Sequence, residues 1–149
     1  MDKWDTRFIE LAKTISGWSS CYKIDRQVGA VIVKNKRILT TGYNGAPSGI
    51  KSCKDKQECL RIQRNIPSGT CHEICYAIHA EQNAIIQAAK LGVSIDGASL
   101  YCTHYPCSIC AKLIVNAGIT KVVYIHAYPD DFTKMIFDEA GIEVVQYIE

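Results

Sequence analysis

The sequence predicts a single α/β domain, three layers deep, with helices on both faces of a mixed five-stranded sheet. Two observations about pattern carry that expectation. Residues 28–33 (VGAVIV) and 37–43 (RILTTGY) flank Asn35-Lys36 as the arms of an antiparallel hairpin do. From residue 79 onward, helix-like and strand-like runs alternate, which implies right-handed crossovers and parallel pairing. The third observation is size. A chain of 149 residues with 48% hydrophobic composition suits one domain with a substantial core.

The elements follow in order. Trp4, Phe8, Leu11, Ala12 and Ile15 recur at helical spacing, so an amphipathic first helix runs to near Gly17. After the hairpin, residues 44–49 (NGAPSG) have the composition of irregular backbone. Residues 50–78 form a polar, Cys-rich insertion, with a short helix expected at 55–63 and a turn at Pro67-Ser68-Gly69. The run 80–91 (AEQNAIIQAAKL) is rich in helix formers and stops at Gly92. Strand 99–103, helix 107–117, strand 121–126, helix 132–140 and strand 143–147 complete the chain.

Composition narrows the function. Lys+Arg 17 against Asp+Glu 15 leaves a formal charge of only +2, which gives no electrostatic case for binding polynucleotide. The opening stretch MDKWDTRFIELAKTI mixes acidic residues into a helical period, unlike a secretory leader. No apolar stretch approaches the roughly 20 residues needed to span a bilayer. A cytoplasmic protein with neither nucleic-acid nor membrane partners is therefore expected. In a reducing compartment, the 8 cysteines read better as metal ligands than as a disulfide framework.

The chemistry concentrates in two short segments, His79-Ala80-Glu81 and Pro106-Cys107-Ser108-Ile109-Cys110. One imidazole and two thiolates suit a zinc ion, and three protein ligands leave a fourth position for water. Zinc-bound water ionises near neutral pH, and a carboxylate that is not a ligand, Glu81, can carry its protons. Both segments open helices. Helix N-termini carry partial positive charge and favour thiolates, and Cys107 and Cys110 share a helical face. A closed structural zinc would want a fourth protein ligand and has no use for Glu81. A thiol redox site at Cys107 and Cys110 leaves His79 and Glu81 unexplained.

These segments are the H-x-E and P-C-x-x-C signature of the zinc nucleobase deaminases. With Gln27-Val28-Gly29-Ala30, Gly42-Tyr43-Asn44-Gly45, Pro47-Ser48-Gly49 and HAEQNAI at 79–85, the chain resembles the zinc-dependent cytidine/deoxycytidylate deaminase family over most of its length. The loop at Gly42 and the HAEQNAI segment point to its deoxycytidylate (dCMP) branch. The resemblance implies a cytidine-deaminase-like fold. It also implies a catalytic zinc on His79, Cys107 and Cys110, with Glu81 as proton shuttle in hydrolysis of dCMP to dUMP and ammonia. Related zinc deaminases acting on cytidine, guanine, a riboflavin precursor or tRNA adenosine are the nearest alternatives. A noncatalytic zinc or nucleotide-binding module is the alternative from another class.

Further roles follow from the same resemblance. Asn44 matches a loop Asn that bonds the sugar hydroxyl, though Asn-Gly also simply caps tight turns. Arg26 is a candidate for the 5′-phosphate, and Tyr128 for a substrate-side aromatic. His104 either lines the pocket or is a loop histidine without a role. Some members hold a second, structural zinc, and Cys21, Cys53, His72 and Cys75 are the best set for it here, with Cys59 and Cys71 as competitors. Cys102 reads as a small core residue. Family members are often homo-oligomers, commonly hexamers, activated by dCTP and inhibited by dTTP, with Mg2+ accompanying the triphosphate.

Overall fold

The computed structural model describes residues 1–23, 26–71, 73–128 and 130–149. The first helix, α1 (Lys3–Ser16), begins where the Asp2 carboxylate accepts the N–H groups of Trp4 and Asp5, each at 2.9 Å. Two strands follow, β1 (Gly29–Lys34) and β2 (Arg37–Tyr43). Asn35 and Lys36 between them adopt φ of 53° and 61°, the paired left-handed conformation that a two-residue hairpin requires.

The insertion contains two short helices, α2 (Cys53–Lys56) and α3 (Leu60–Gln63). This corrects the single helix expected over 55–63. Gln57 ends α2 in the left-handed region at φ 55°, and Cys59 is extended at φ −124°, so the helical path breaks between them. The remaining elements are α4 (Ala80–Leu91), β3 (Ser99–His104), α5 (Ser108–Asn116), β4 (Lys121–His126), α6 (Asp131–Ala140) and β5 (Glu143–Gln146).

The five strands lie in the order β2-β1-β3-β4-β5. β1 is antiparallel to both β2 and β3, while β3, β4 and β5 run parallel, which is the mixed sheet the sequence predicts. Strand β1 is buried on both faces, as its unbroken apolar run implies. Val31 and Val33 meet Phe8, Ile9 and Ala12 of α1, with Tyr101 and Val123 completing that layer. Ala30 and Ile32 face the other way, into a larger cluster with Leu100, Val122, Ile114 and Phe137. Cys102 is fully buried there, as a small core residue. Each large apolar side chain buried this way contributes about 1.5–3 kcal/mol.

Two glycines set how closely helices lie on the sheet. A Cβ at Gly29 would overlap the Ala12 carbonyl oxygen and sit 2.6 Å from the Ser16 nitrogen. A Cβ at Gly42 would overlap the Ala80 carbonyl oxygen and sit 2.6 Å from the Ala84 nitrogen. Glycine is required at both because backbone meets backbone. The second contact presses the first turn of α4 onto β2, which fixes the residue just before that turn.

Candidate active site

His79 and Cys107 are the N-cap residues of α4 and α5, and Cys110 lies in the first turn of α5. Both caps are extended, with φ, ψ of −67°, 153° and −73°, 168°, so their side chains project from the helix ends. Gln82 holds the first cap, its Oε1 accepting the His79 N–H at 2.8 Å. The second is held from α6. One Asp130 oxygen accepts the Ser108 N–H at 3.0 Å, and the other accepts the Thr133 N–H at 3.0 Å. The buried Thr133 hydroxyl donates to the Pro106 carbonyl at 3.1 Å. A single carboxylate thus ties the starts of α5 and α6 together around the Pro106-Cys107 turn.

The three donors converge. His79 Nδ1 lies 3.5 Å from Cys107 Sγ and 3.3 Å from Cys110 Sγ, and all three donor atoms fall within 4.8 Å of one another. Tetrahedral zinc with ordinary Zn–N and Zn–S bond lengths separates nitrogen from sulfur by about 3.6 Å, so the cluster has the size and chemistry for that ion. Among the described residues, no other group of three such donors gathers as tightly.

Charge in the cluster is shared. A hydrogen bond from the Cys110 thiol, helped by His79, brings Cys107 down to about 4, whereas the same bond and burial push Cys110 up. His79 is raised, chiefly by its bond to Cys107. The negative charge of the cluster thus leans toward Cys107, and metal binding to these donors would be coupled to release of protons. Glu81 is 5% exposed, and burial raises its carboxyl above the usual range. A carboxyl raised by burial holds a proton more readily than a solvated one, which suits a group that must both accept and return it.

A cavity of about 410 Å³ opens onto the cluster, with His79, Glu81 and Cys107 in its wall. A model of the cytidine and deoxycytidylate deaminase zinc-binding region matches residues 2–126. The chain belongs to that family. The deoxycytidylate deaminase of Schizosaccharomyces pombe is 37% identical over 97% of this chain. The chain spans 44% of that relative's length. The ComE operon protein 2 of Bacillus subtilis is 38% identical, over 96% of this chain and 70% of that protein. Among solved structures, the cyanophage S-TIM5 dCMP deaminase in complex with dCMP and dUMP superposes with a TM-score of 0.81. It is 34% identical, and the match covers 99% of each chain. The cytidine-deaminase-like fold expected from the sequence is this one.

The other residues singled out in the sequence fall into two groups. Asn44, Arg26, Tyr128 and His104 all line the cavity. Asn44 is 9% exposed and clasps the preceding backbone. Its Oδ1 accepts the Val28 N–H at 2.9 Å, and its Nδ2 donates to the Arg26 carbonyl at 2.8 Å. Its side chain thus ties the pocket wall to the backbone at Arg26 and Val28 rather than capping its own turn. Arg26 donates to the Ser68 hydroxyl at 2.9 Å, and the Tyr128 hydroxyl lies over Gly69, 3.5 Å from where a Cβ would stand.

The second cysteine set is looser. Burial raises Cys21 and Cys53, and the nearby Cys75 and Cys59 raise both further. Cys59 thus belongs with Cys21, Cys53 and Cys75, while Cys71 is exposed. His72, the remaining member of the expected set, lies outside the described residues.

Sequence reasoning missed four contributors. Asp130 and Thr133 shape the turn before Cys107. Lys23 lines the cavity, as does Arg61, whose guanidinium donates to the carbonyls of Pro67, Thr70, Cys71 and Ile74. The turn composition at Pro67-Ser68-Gly69 was the one available signal, since bent backbone turns its carbonyls toward a common point.

Proposed function

We propose that this chain hydrolyses dCMP to dUMP and ammonia. One observation carries the reading. The cavity lined by His79, Cys107 and the buried Glu81 also presents Lys23, Arg26 and Arg61. Donors for a metal and cations for a phosphate line one cavity, which a nucleoside deaminase does not require. The S. pombe relative is named for deoxycytidylate, and the cyanophage structure holds dCMP and dUMP.

His79 Nδ1 and the two thiolates would hold a zinc ion, which when bound would supply the Lewis acidity that brings a water toward ionisation at neutral pH. The protein's own groups handle the protons. Glu81 takes one from the attacking water and delivers it to N3 of the cytosine ring. The C4–O bond forms in that step; Glu81 then carries the remaining hydroxyl proton to the amine as the C4–N bond breaks and ammonia leaves. Its burial keeps bulk water from competing for that proton. Arg26, steered by Ser68, takes a phosphate oxygen, and the second N–H of the Asn44 amide takes a sugar hydroxyl. Tyr128 closes the pocket over Gly69.

The test is the rate of deamination of dCMP beside deoxycytidine, CMP and dCTP at neutral pH, followed by loss of cytosine absorbance. Strong preference for dCMP is expected. Activity confined to deoxycytidine would remove the phosphate role of Arg26, and silence on all four would overturn the reading.

The second metal belongs to the same proposal. Cys21, Cys53 and Cys75, with Cys59 or His72 as fourth donor, would form a closed site that clamps a polar insertion. Two zinc ions per chain support it, and one per chain removes it. Regulation by dCTP and dTTP with Mg2+, and a hexameric assembly, rest on the family resemblance. A hyperbolic rate curve unmoved by either triphosphate would end the first, and a monomer in sedimentation the second. No helix among the described residues is long and apolar enough to cross a membrane.

A further inference from the structure

Strand β3 ends in the cavity at His104, and the hydrogen bonds behind that residue fix which ring nitrogen carries a proton. Thr103 is 4% exposed, and its hydroxyl oxygen accepts the Gly29 N–H at 3.1 Å. The same oxygen lies 2.8 Å from His104 Nδ1. If Nδ1 carried the proton, Thr103 would accept twice and bury its own hydroxyl hydrogen without an acceptor. Leaving a buried donor unmade costs about 1–3 kcal/mol. The hydroxyl therefore donates to Nδ1, and the ring hydrogen sits on Nε2.

Burial, and then the His126 imidazole beside it, lower His104 below the ordinary histidine range, so the ring is neutral at physiological pH. The two rings are register partners on β3 and β4, with centroids 4.9 Å apart. With Nδ1 committed to Thr103, any hydrogen bond His104 makes to an occupant of the cavity falls to Nε2.

We propose that His104 is a substrate-binding residue whose Nε2–H donates to an oxygen of the bound nucleotide, oriented by the relay from Gly29 N–H through the Thr103 hydroxyl. This rests on the nucleotide reading above and adds to it a neutral donor whose direction is set from behind. A donor held in one tautomer keeps its hydrogen bond without the reorientation a free ring needs on binding. It also selects for an acceptor, since an occupant with an N–H at that point would leave two donors facing each other.

Two substitutions separate this role from a structural one. In His104→Asn the amide stands where Nδ1 stood, so Thr103 keeps an acceptor but the cavity loses its donor. In His104→Gln the amide nitrogen reaches the place of Nε2, so the donor survives and Thr103 loses its partner. Steady-state kinetics on the zinc-loaded chain should show KM for dCMP rising about fivefold to tenfold in the Asn variant, with kcat within twofold. The Gln variant should stay within about threefold of the parent. Running deoxycytidine in parallel locates the acceptor: a KM change confined to dCMP places it on the phosphate, and a shared one places it on the sugar or base.

A KM unchanged in His104→Asn, or a larger loss in His104→Gln than in His104→Asn, overturns the proposal. Long-range 15N–1H NMR of the imidazoles provides the independent readout. An Nδ1–H tautomer at His104 also overturns it. If the parent chain deaminates no cytosine nucleotide, the dCMP reading fails by itself, and the tautomer still decides the claim about the ring.

Discussion

The metal cluster and the insertion at 50–78 are organised by opposite means. At the cluster, regular elements do the placing. α4 is pressed onto β2 at Gly42, and α5 is tied to α6 through Asp130. The three donor atoms lie within 4.8 Å of one another, around a common point. In the insertion, two helices of four residues each supply little of the buried core, and one guanidinium gathers four carbonyls instead. Cys53, Cys59 and Cys75 stand near Cys21, and among the described residues they form no donor group as tight as the one at His79. A fold can prepare a site from helix ends and strand backbone, or leave a segment to be held by polar hubs and, where ligands permit, by metal.

The comparison can be broken or sharpened by substitution, and the largest effect should come from chemistry alone. Glu81→Gln keeps every ligand and the cavity, so zinc content should be unchanged while kcat falls by about 10²–10⁴-fold. Metal analysis beside single-substrate kinetics checks this, and retained turnover would end the proton-shuttle role. Gly42→Ala attacks the scaffold instead. The added Cβ overlaps the backbone of Ala80, so stability should fall by about 1–3 kcal/mol, with weaker zinc retention. Denaturant midpoints with and without a chelator read both, and an unchanged midpoint would show that α4 can shift freely.

Thr133→Val should cost less, about 1–2 kcal/mol, because it leaves the buried Pro106 carbonyl without its donor. If the turn it braces matters to the cluster, competition with a chelator will show faster zinc loss than in the parent. Arg61→Ala sharpens the contrast from the other side. Amide hydrogen exchange should quicken across 60–75 while α4 and α5 keep their protection. Exchange spreading into those helices would mean the two regions are one cooperative unit.

The smallest effect lies outside both regions, at the exposed Lys13–Glu149 pair, 2.6 Å apart. Lys13 holds Glu149 below its ordinary range by their hydrogen bond. The contribution is therefore present at neutral pH and fades as pH falls through that lowered value. Lys13→Met should narrow the difference in melting temperature between neutral and acidic pH only marginally, and a large change would contradict the screening expected at an open surface.

Much of this was legible in the sequence, and the reason is periodicity. Trp4, Phe8, Leu11, Ala12 and Ile15 mark a helix because one face must bury, and Asn35-Lys36 marks a hairpin because few residue pairs tolerate its backbone. His79, Glu81, Cys107 and Cys110 could be read because zinc chemistry restricts both residue type and spacing. The insertion resisted reading because it has no repeating apolar face, and the break at Gln57 depends on one residue adopting a left-handed conformation. Arg61 was invisible for a related reason, since its partners are backbone carbonyls that every residue possesses. Asp130 and Thr133 act on a turn more than 20 residues earlier, a contact no local pattern announces.

The bracing of the Pro106 turn by Thr133 also orders events in time. A chain synthesised from its N-terminus delivers His79 first and the two cysteines next, yet the turn that aims Cys107 lacks its support until α6 has emerged and docked. The nascent protein therefore passes through an interval in which all three zinc ligands are outside the ribosome and their arrangement is unfinished. Metal captured in that interval would meet donors not yet held in place, and the finished geometry of the cluster would arrive only with α6.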